Sequence, residues 1–184
     1  MTSIQVHQSE IQRGRMLLET LLSGALVAVL LAQALPAVNQ LLLRQRLQAA
    51  AQLLMTDLQQ ARAEAVRGAD TVQFAFNQPA GGTCYVIHTG AVGACRCETE
   101  GQAICAADAS VIKTVWLPAN RSVTVRANVR NLSFHARQGT VTSTGSVDLD
   151  AGTGASVRHV VSIAGRVRSC TPSGSIAGLK ACQG

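Results

Sequence analysis

Aromatic residues are scarce in this chain of 184 residues, which contains one Trp, one Tyr and three Phe. The hydrophobic fraction is nevertheless 47%, so the interior must be built mainly from aliphatic side chains. The length is sufficient for one globular domain with a buried core and one additional element. This composition favours a modest β-rich domain joined to a long aliphatic helix.

Motifs of catalysis and metal binding are also missing. No G-x-S-x-G, H-E-x-x-H, P-loop or G-x-G-x-x-G pattern occurs, and the four histidines are scattered along the sequence. The C-x-C at Cys95 and Cys97 lacks the spaced C-x-x-C pair or clustered histidines that are typical of zinc sites. The sequence therefore predicts a protein that is not an enzyme and that has neither a metal nor a cofactor.

No cysteine precedes residue 84, and the number of cysteines beyond that point is even. This distribution predicts that the C-terminal part folds in an oxidising compartment and is bridged by disulfides there. Cys170 and Cys182 are the expected pair that closes a C-terminal loop. Two more local bridges, whose pairing the sequence leaves open, are expected among Cys84, Cys95, Cys97 and Cys105.

Acidic residues are rare in the C-terminal part of the chain. From Val111 to Gly184 there are two Asp and Glu residues against nine Lys and Arg, whereas Ala69 to Ser110 has four acidic residues and a single Arg. The formal net charge of +6 thus belongs mostly to the C-terminal half. It favours a polyanionic partner; a solvated surface that keeps an exported domain soluble is the alternative.

An uncharged run from Thr20 to Leu43 is long enough to cross a hydrocarbon layer of about 30 Å as a helix. Arg13 and Arg15 precede it, so the N-terminus is expected to remain cytoplasmic and the rest to be exported. Apolar residues continue at helical spacing beyond the run, which predicts an amphipathic continuation that ends near Gly68. The alternative is a secretory signal cleaved after position 34, which would release a secreted enzyme.

Glu19 places a carboxylate at the start of this apolar run. A carboxylate in lipid costs about 2.5 kcal/mol or more on insertion scales, so it requires a partner. No Lys or Arg lies one turn further along the helix. The partner is therefore expected from another chain or from a newly made N-terminus.

Short β-type runs separated by Gly, Asn and Pro follow Gly68. They predict an α+β fold in which the long N-terminal helix packs on antiparallel sheet. The aromatic residues in or beside these runs are expected in the core: Phe74, Phe76, Tyr85, Trp116 and Phe134. The predicted strands cover residues 71–76, 84–88, 110–117, 122–127, 132–135 and 157–163.

The segment Gly14-Arg15-Met16-Leu17-Leu18-Glu19 resembles the class III signal of type IV pilins and pseudopilins. In that family a prepilin peptidase cleaves after a glycine, the fifth mature residue is a glutamate, and proline is common at mature position 22, where this chain has Pro36. The resemblance implies the type IV pilin fold and cleavage after Gly14. It implies N-methylation at Arg15, where the family usually has phenylalanine.

The same resemblance implies a role in assembly for two of these residues. Glu19 would neutralise the amino terminus of a neighbouring subunit, and Pro36 would interrupt the backbone hydrogen bonds of the helix. The implied organisation is a leader peptide (1–14), a transmembrane and assembly half of the helix (15–43), an amphipathic half (44–68) and a disulfide-containing β-rich domain with a basic tail (69–184). The chain would cross the bacterial inner membrane once, with its N-terminus in the cytoplasm, before assembly into a pilus.

A basic element near the C-terminus, Gly165-Arg166-Val167-Arg168, suggests phosphate binding. On an extended chain the two arginines lie on one face about 7 Å apart, close to the spacing of phosphates along one nucleic-acid strand. The planar guanidinium suits phosphate oxygens, and Gly165 permits a turn or the approach of a second backbone. Lys180 and Arg158 are expected to add to the positive field.

This element resembles the G-R-x-R sequence of the FimT branch of the FimT/GspH group of minor pilins, which implies DNA binding in natural transformation. Since aromatic residues are missing nearby, binding is expected to be directed at the backbone, independent of base sequence and sensitive to salt. The implied partners are DNA, other pilin subunits, the prepilin peptidase and the inner membrane. The alternative is a structural role, as a minor pseudopilin of a type II secretion system or as a pilus-priming subunit.

Overall fold

The computed structural model describes residues 4–121, 123–152 and 154–183. Within these residues a long helix, α1 (Ile4–Arg67), precedes ten strands. Short 3-10 helices lie at Thr99–Gly101 and Ala119–Arg121. The strands are β1 (Val72–Asn77), β2 (Gly82–Thr89), β3 (Cys95–Cys97), β4 (Ala103–Cys105), β5 (Val111–Pro118), β6 (Thr124–Ala127), β7 (Asn131–Phe134), β8 (Gly145–Asp150), β9 (Ser156–Val161) and β10 (Val167–Cys170).

The chain divides into two compact units, which meet in sequence between Leu42 and Leu43. The first unit contains the apolar part of α1, with Pro36 inside the helix. By length and composition, the helical stretch Leu17–Arg67 contains a segment that is apolar enough to cross a membrane. Its large side chains up to Leu42 are exposed, as expected for a segment that lies in lipid or against other helices.

The second unit packs residues 43–67 of α1 against two antiparallel four-stranded sheets. The first sheet has the strand order β5-β2-β1-β7 and the second has the order β10-β9-β8-β6. This arrangement confirms the predicted α+β class. The buried core combines Leu47, Ala51, Leu54, Leu58, Ala61 and Ala65 of α1 with Phe74, Tyr85, Ile87, Leu132 and Phe134 of the first sheet and Val147, Leu149, Val157 and Val161 of the second.

Three of the five aromatic residues predicted in the core are fully buried, namely Phe74, Tyr85 and Phe134. Phe76 and Trp116 are only half-buried. Trp116 lies on β5, the edge strand of the first sheet, where one flank of the side chain has no neighbouring strand. The prediction of a core position was therefore correct in full only for the three buried rings.

Three disulfides join all six cysteines of the second unit. Cys84–Cys97 ties β3 to β2, and Cys95–Cys105 joins β3 to β4 within the two-stranded sheet. Cys84, Cys95 and Cys97 form a small buried cluster with Val86. Cys170–Cys182 is the third disulfide and confirms the predicted pair. It closes the C-terminal tail onto the end of β10.

A buried polar cluster joins α1 to the first sheet. Asp57 of α1 is 1% exposed and accepts hydrogen bonds from Tyr85 Oη of β2 at 2.7 Å and from Lys113 Nζ of β5 at 2.6 Å. Burial and the adjacent Asp57 carboxylate raise the pKa of the Tyr85 hydroxyl. A charge buried in this way must be paired, so the cluster specifies one position of the helix on the sheet.

Candidate nucleic-acid interface

The hairpin of β9 and β10 forms one edge of the second sheet and carries the predicted basic element. Val161 pairs with Val167 at its closed end. In the connecting turn, Gly165 N–H donates to Ser162 O at 2.7 Å and Ser162 N–H donates to Arg166 O at 3.0 Å. Gly165 has φ +69°, a left-handed conformation that favours glycine, so the expected turn is present.

Arg166 and Arg168 are both exposed, whereas Val167 between them is half-buried and packs against the core. This alternation is the one expected of an extended chain. Arg166 lies just before edge strand β10 and Arg168 lies on it. Neither arginine forms a salt bridge with any residue that the structure describes. Their charges are available to an external anion.

Lys180 is exposed on the C-terminal tail. The tail is tied to β10, because Thr171 N–H donates to Lys180 O at 2.9 Å and Cys182 N–H donates to Thr171 O at 3.0 Å. The Cys170–Cys182 disulfide reinforces the same attachment. Lys180 therefore lies beside the C-terminal end of the strand that carries Arg168.

Arg158 differs from the other predicted cations because its charge is already paired. It lies on β9 and donates from Nε to Asp148 Oδ1 at 2.6 Å and from Nη2 to Asp148 Oδ2 at 2.8 Å. The hydrogen bonds and the charge of Asp148 raise the pKa of the Arg158 guanidinium. Its contribution to anion binding stays a prediction, and the bidentate pair with a carboxylate on neighbouring strand β8 weakens the field that it offers.

His159 attaches the arginine-bearing hairpin to α1. Its Nε2 lies 2.9 Å from Ala51 O of the helix, and its Nδ1 lies 2.8 Å from Ser169 Oγ of β10. Since a carbonyl can only accept, Nε2 carries the proton and Nδ1 accepts from Ser169. Burial lowers the pKa of His159, although the hydrogen bond to Ala51 opposes this change.

The lowered pKa of His159 predicts a loss of stability in acid. The unfolded chain binds a proton at this side chain below a pH of about 6.5, whereas the folded chain resists protonation, so the free energy of unfolding falls as the pH falls. The slope from this one group is at most about 1.4 kcal/mol per pH unit. In urea titrations between pH 7 and 5, we expect His159→Gln to remove this pH dependence of the free energy of unfolding. His135→Gln, at an exposed histidine, should leave the pH dependence unchanged. Equal slopes in wild type and His159→Gln would contradict the prediction.

The structure also brings arginines from distant parts of the chain close to Gly165. A Cβ at this position would collide with Gly139 O, and Gly139 O accepts a hydrogen bond from Arg62 Nε of α1 at 3.2 Å. A groove of about 570 Å³ lies here, lined by Arg62, Arg67, Arg166 and neighbouring residues. Neither Arg62 nor Arg67 was predicted to belong to the site, because no local pattern in the sequence connects them with a segment about a hundred residues away.

The residues predicted to act in processing and assembly all lie in α1. Gly14, Arg15, Glu19 and Pro36 fall within Ile4–Arg67, and Glu19 is exposed. Their predicted roles stay predictions. The predicted leader also includes residues 1–3, which lie outside the described residues.

No group of three or more His, Cys, Asp or Glu side chains in the described part of the chain is arranged to hold a metal ion. The remaining depressions are lined by mixed polar and apolar side chains. One lies between α1 and the C-terminal tail, where His159, Ser169 and Met55 line about 430 Å³. The side chains of His159 and Ser169 are hydrogen-bonded there as described above, and these hydrogen bonds join the hairpin to the helix.

Comparison with known proteins identifies one family. The family model described as "Type II transport protein GspH" matches residues 50–165. Two crystal forms of the type IV minor pilin FimU of Pseudomonas aeruginosa (strain PAO1) are similar in structure. The P21 form has 21% sequence identity and a TM-score of 0.49, covering 68% of this chain and 88% of FimU; the P65 form has 19% identity and a TM-score of 0.48, covering 67% and 91%. No curated protein matches the chain.

Proposed function

The chain belongs to the GspH family, with the type IV pilin fold, and from this premise we propose that it is a minor type IV pilin that binds extracellular DNA and supports DNA uptake in natural transformation. Proteins of this family are structural subunits rather than enzymes. DNA would be bound through its phosphates, mainly by Arg166 and Arg168, with Lys180 adding to the field.

Two exposed arginines, Arg166 just before edge strand β10 and Arg168 on it, support this proposal most directly, because neither forms a salt bridge with a described residue. Arginine forms bidentate hydrogen bonds with phosphate oxygens. The turn at Gly165 and the disulfide-tied tail hold both ends of strand β10. The backbone that carries the arginines is therefore already ordered, which lowers the entropic cost of binding. Arg158, paired with Asp148, is the weakest member of the proposed set.

Assembly is proposed to use the apolar part of α1. Pilin subunits interact with one another, and an uncovered apolar helix of this length is consistent with membrane anchoring before assembly. In the proposed sequence of events a prepilin peptidase cleaves after Gly14, and the amino terminus made at Arg15 is neutralised by Glu19 of a neighbouring subunit. The second unit, with its three disulfides, would lie on the oxidising side of the bacterial inner membrane.

A structural function is the second candidate, and the family itself favours it. The matching family is described by its part in type II transport, so the chain could serve as a minor pseudopilin or as a pilus-priming subunit. In that case the basic edge strand would meet an acidic surface of a partner protein, where charges on the rim mainly affect the rate of association.

Titration with DNA separates the two candidates. We expect the full-length protein in non-ionic detergent to bind a fluorescent DNA duplex in dilute salt. At least three phosphate contacts predict an affinity at least about 40-fold lower at ~200 mM than at ~50 mM salt. Fluorescence anisotropy with duplexes of two unrelated base sequences is the measurement, and the affinities should agree. Negligible binding at ~50 mM salt would favour the structural function.

A further inference from the structure

Three segments of the second unit meet at the C-terminal end of α1. The loop that follows β7 closes onto the helix, where Arg137 N–H donates to Ala65 O at 2.8 Å and Gly139 O accepts from Arg62 Nε. The turn between β9 and β10 packs against the same loop, since Gly165 leaves no space for a Cβ beside Gly139 O. The helix end, the loop and the turn therefore form one continuous surface.

Three arginines line a groove on this surface, which we call the helix-end groove. Arg62, Arg67 and Arg166 line it, and Arg137 is exposed on the adjoining loop. Its apolar lining is provided by Ala63, Val66, Gly165 and Val167.

An apolar floor with guanidinium groups beside it suits a sugar-phosphate backbone. The sugars can lie against aliphatic side chains, while the phosphates accept hydrogen bonds from arginine. The negative end of the helix dipole also favours cations at this position. That effect accounts for Arg67 in the last turn, but it does not explain why Arg137 and Arg166 are added from two other segments.

One acidic residue moderates the positive charge of the groove. Glu64 Oε1 lies 2.6 Å from Arg67 Nη2, and both side chains are at least one-third exposed. Exposed pairs of this kind contribute little to stability, so a phosphate can replace the carboxylate as the partner of Arg67. Neither Glu64 nor Asp70, which follows the helix, lines the groove.

We propose that the DNA-binding surface continues from Arg166 through the helix-end groove, so that Arg67 and Arg137 also contact phosphates of the bound DNA. The bound DNA would then run from edge strand β10 across the end of α1, and its contacts would not be confined to the C-terminal element. This inference rests on the proposed DNA binding by Arg166 and Arg168. It adds two phosphate contacts, from residues that are distant in sequence from Arg166 and Arg168.

The test compares two double variants that remove the same charge. Arg67→Gln with Arg137→Gln changes the groove. Arg96→Gln with Arg130→Gln is the control, because Arg130 lies at the end of β7 opposite to the Arg137 loop and Arg96 lies on β3. All four side chains are exposed, and thermal unfolding of each variant verifies that it is folded.

Duplex binding by the full-length protein in non-ionic detergent is measured at several salt concentrations. We expect the groove variant to bind about tenfold more weakly at ~50 mM salt, with a slope of log affinity against log salt that is smaller by about 2. The control variant should bind within about twofold of wild type, since charges beyond the Debye length are largely screened. In the opposite direction, Glu64→Gln should tighten binding by about two- to threefold, because it frees Arg67.

Equal losses in the groove and control variants would overturn the inference, because they would reflect only the net charge. Wild-type affinity of the groove variant, with binding abolished in the Arg166→Gln, Arg168→Gln protein, would also overturn it and would leave the proposed function intact. If that arginine variant too retained wild-type affinity, both the groove and the proposed DNA site would be wrong. Weaker binding by Glu64→Gln would show that the carboxylate supports the site, which contradicts the proposed exchange of partners.

Discussion

Replacing Lys113 with methionine should lower the free energy of unfolding of the second unit by about 3 kcal/mol, the low end of the range for breaking a buried ion pair. The reason is that the buried Asp57 carboxylate, at 1% exposure, would lose the compensating ammonium group 2.6 Å away. We choose the low end because the Lys113 side chain is itself 33% exposed, so solvent weakens the attraction.

Urea unfolding of residues 43–184, followed by circular dichroism, measures this effect. Lys180→Met is the matched control, since it removes an exposed lysine from the tail and should change the free energy of unfolding by no more than about 0.5 kcal/mol. The same midpoint for Lys113→Met as for wild type would show that Asp57 needs no compensating charge.

Removing both charges should be less harmful than removing one. In Asp57→Leu with Lys113→Met no buried charge remains, and isosteric apolar replacements of buried pairs are often neutral. The Tyr85 hydroxyl then loses its acceptor, which costs about 1–3 kcal/mol. Adding Tyr85→Phe should therefore recover most of the remaining loss, and a triple variant less stable than Lys113→Met would contradict this account of the cluster.

Replacing Arg166 and Arg168 together with glutamine should abolish detectable DNA binding, the largest functional effect that we expect. Both side chains are exposed and neither forms a salt bridge with a described residue. The thermal unfolding temperature should therefore remain that of wild type, because substitutions at such positions change stability by less than about 0.5 kcal/mol.

Lysine at the same two positions tests what the arginines contribute. Arg166→Lys with Arg168→Lys keeps the charge but removes the planar fork, so binding should persist with reduced affinity. The Arg96→Gln, Arg130→Gln protein is again the control for a loss of two charges. Wild-type affinity in the glutamine variant would show that DNA binds elsewhere on the molecule.

Local patterns were sufficient to predict much of the fold. The helical spacing of Leu47, Ala51, Leu54 and Leu58 identified the face of α1 that is buried, because a period of 3.6 residues is contained within the helix itself. The end of the helix next to Gly68 could also be predicted locally, because glycine is favoured just after a helix C-terminus. In the structure, Gly68 N–H donates to Glu64 O at 2.8 Å.

Several strands were not predicted because their stability comes from their neighbours. β3 and β4 have three residues each, too few for a detectable alternation, and they are held by the Cys84–Cys97 and Cys95–Cys105 disulfides. β8 contains Asp148 and Asp150, which are uncommon in strands. Asp148 is accommodated by its pairing across the sheet with Arg158.

The amino-acid sequence by itself determined the long helix with Glu19 at the start of its apolar run, the α+β class, the even set of cysteines and the placement of Arg166 and Arg168 on one face of an extended segment. Each of these depends on residues close together in the chain, where periodicity and composition are sufficient. Only the tertiary structure decided that Arg158 is paired, that Arg67 and Arg166 line one groove, and that the Arg137 loop closes onto the helix end. Those relations depend on strand register and on the packing of a loop against a helix end, which arise when distant segments bury a common core.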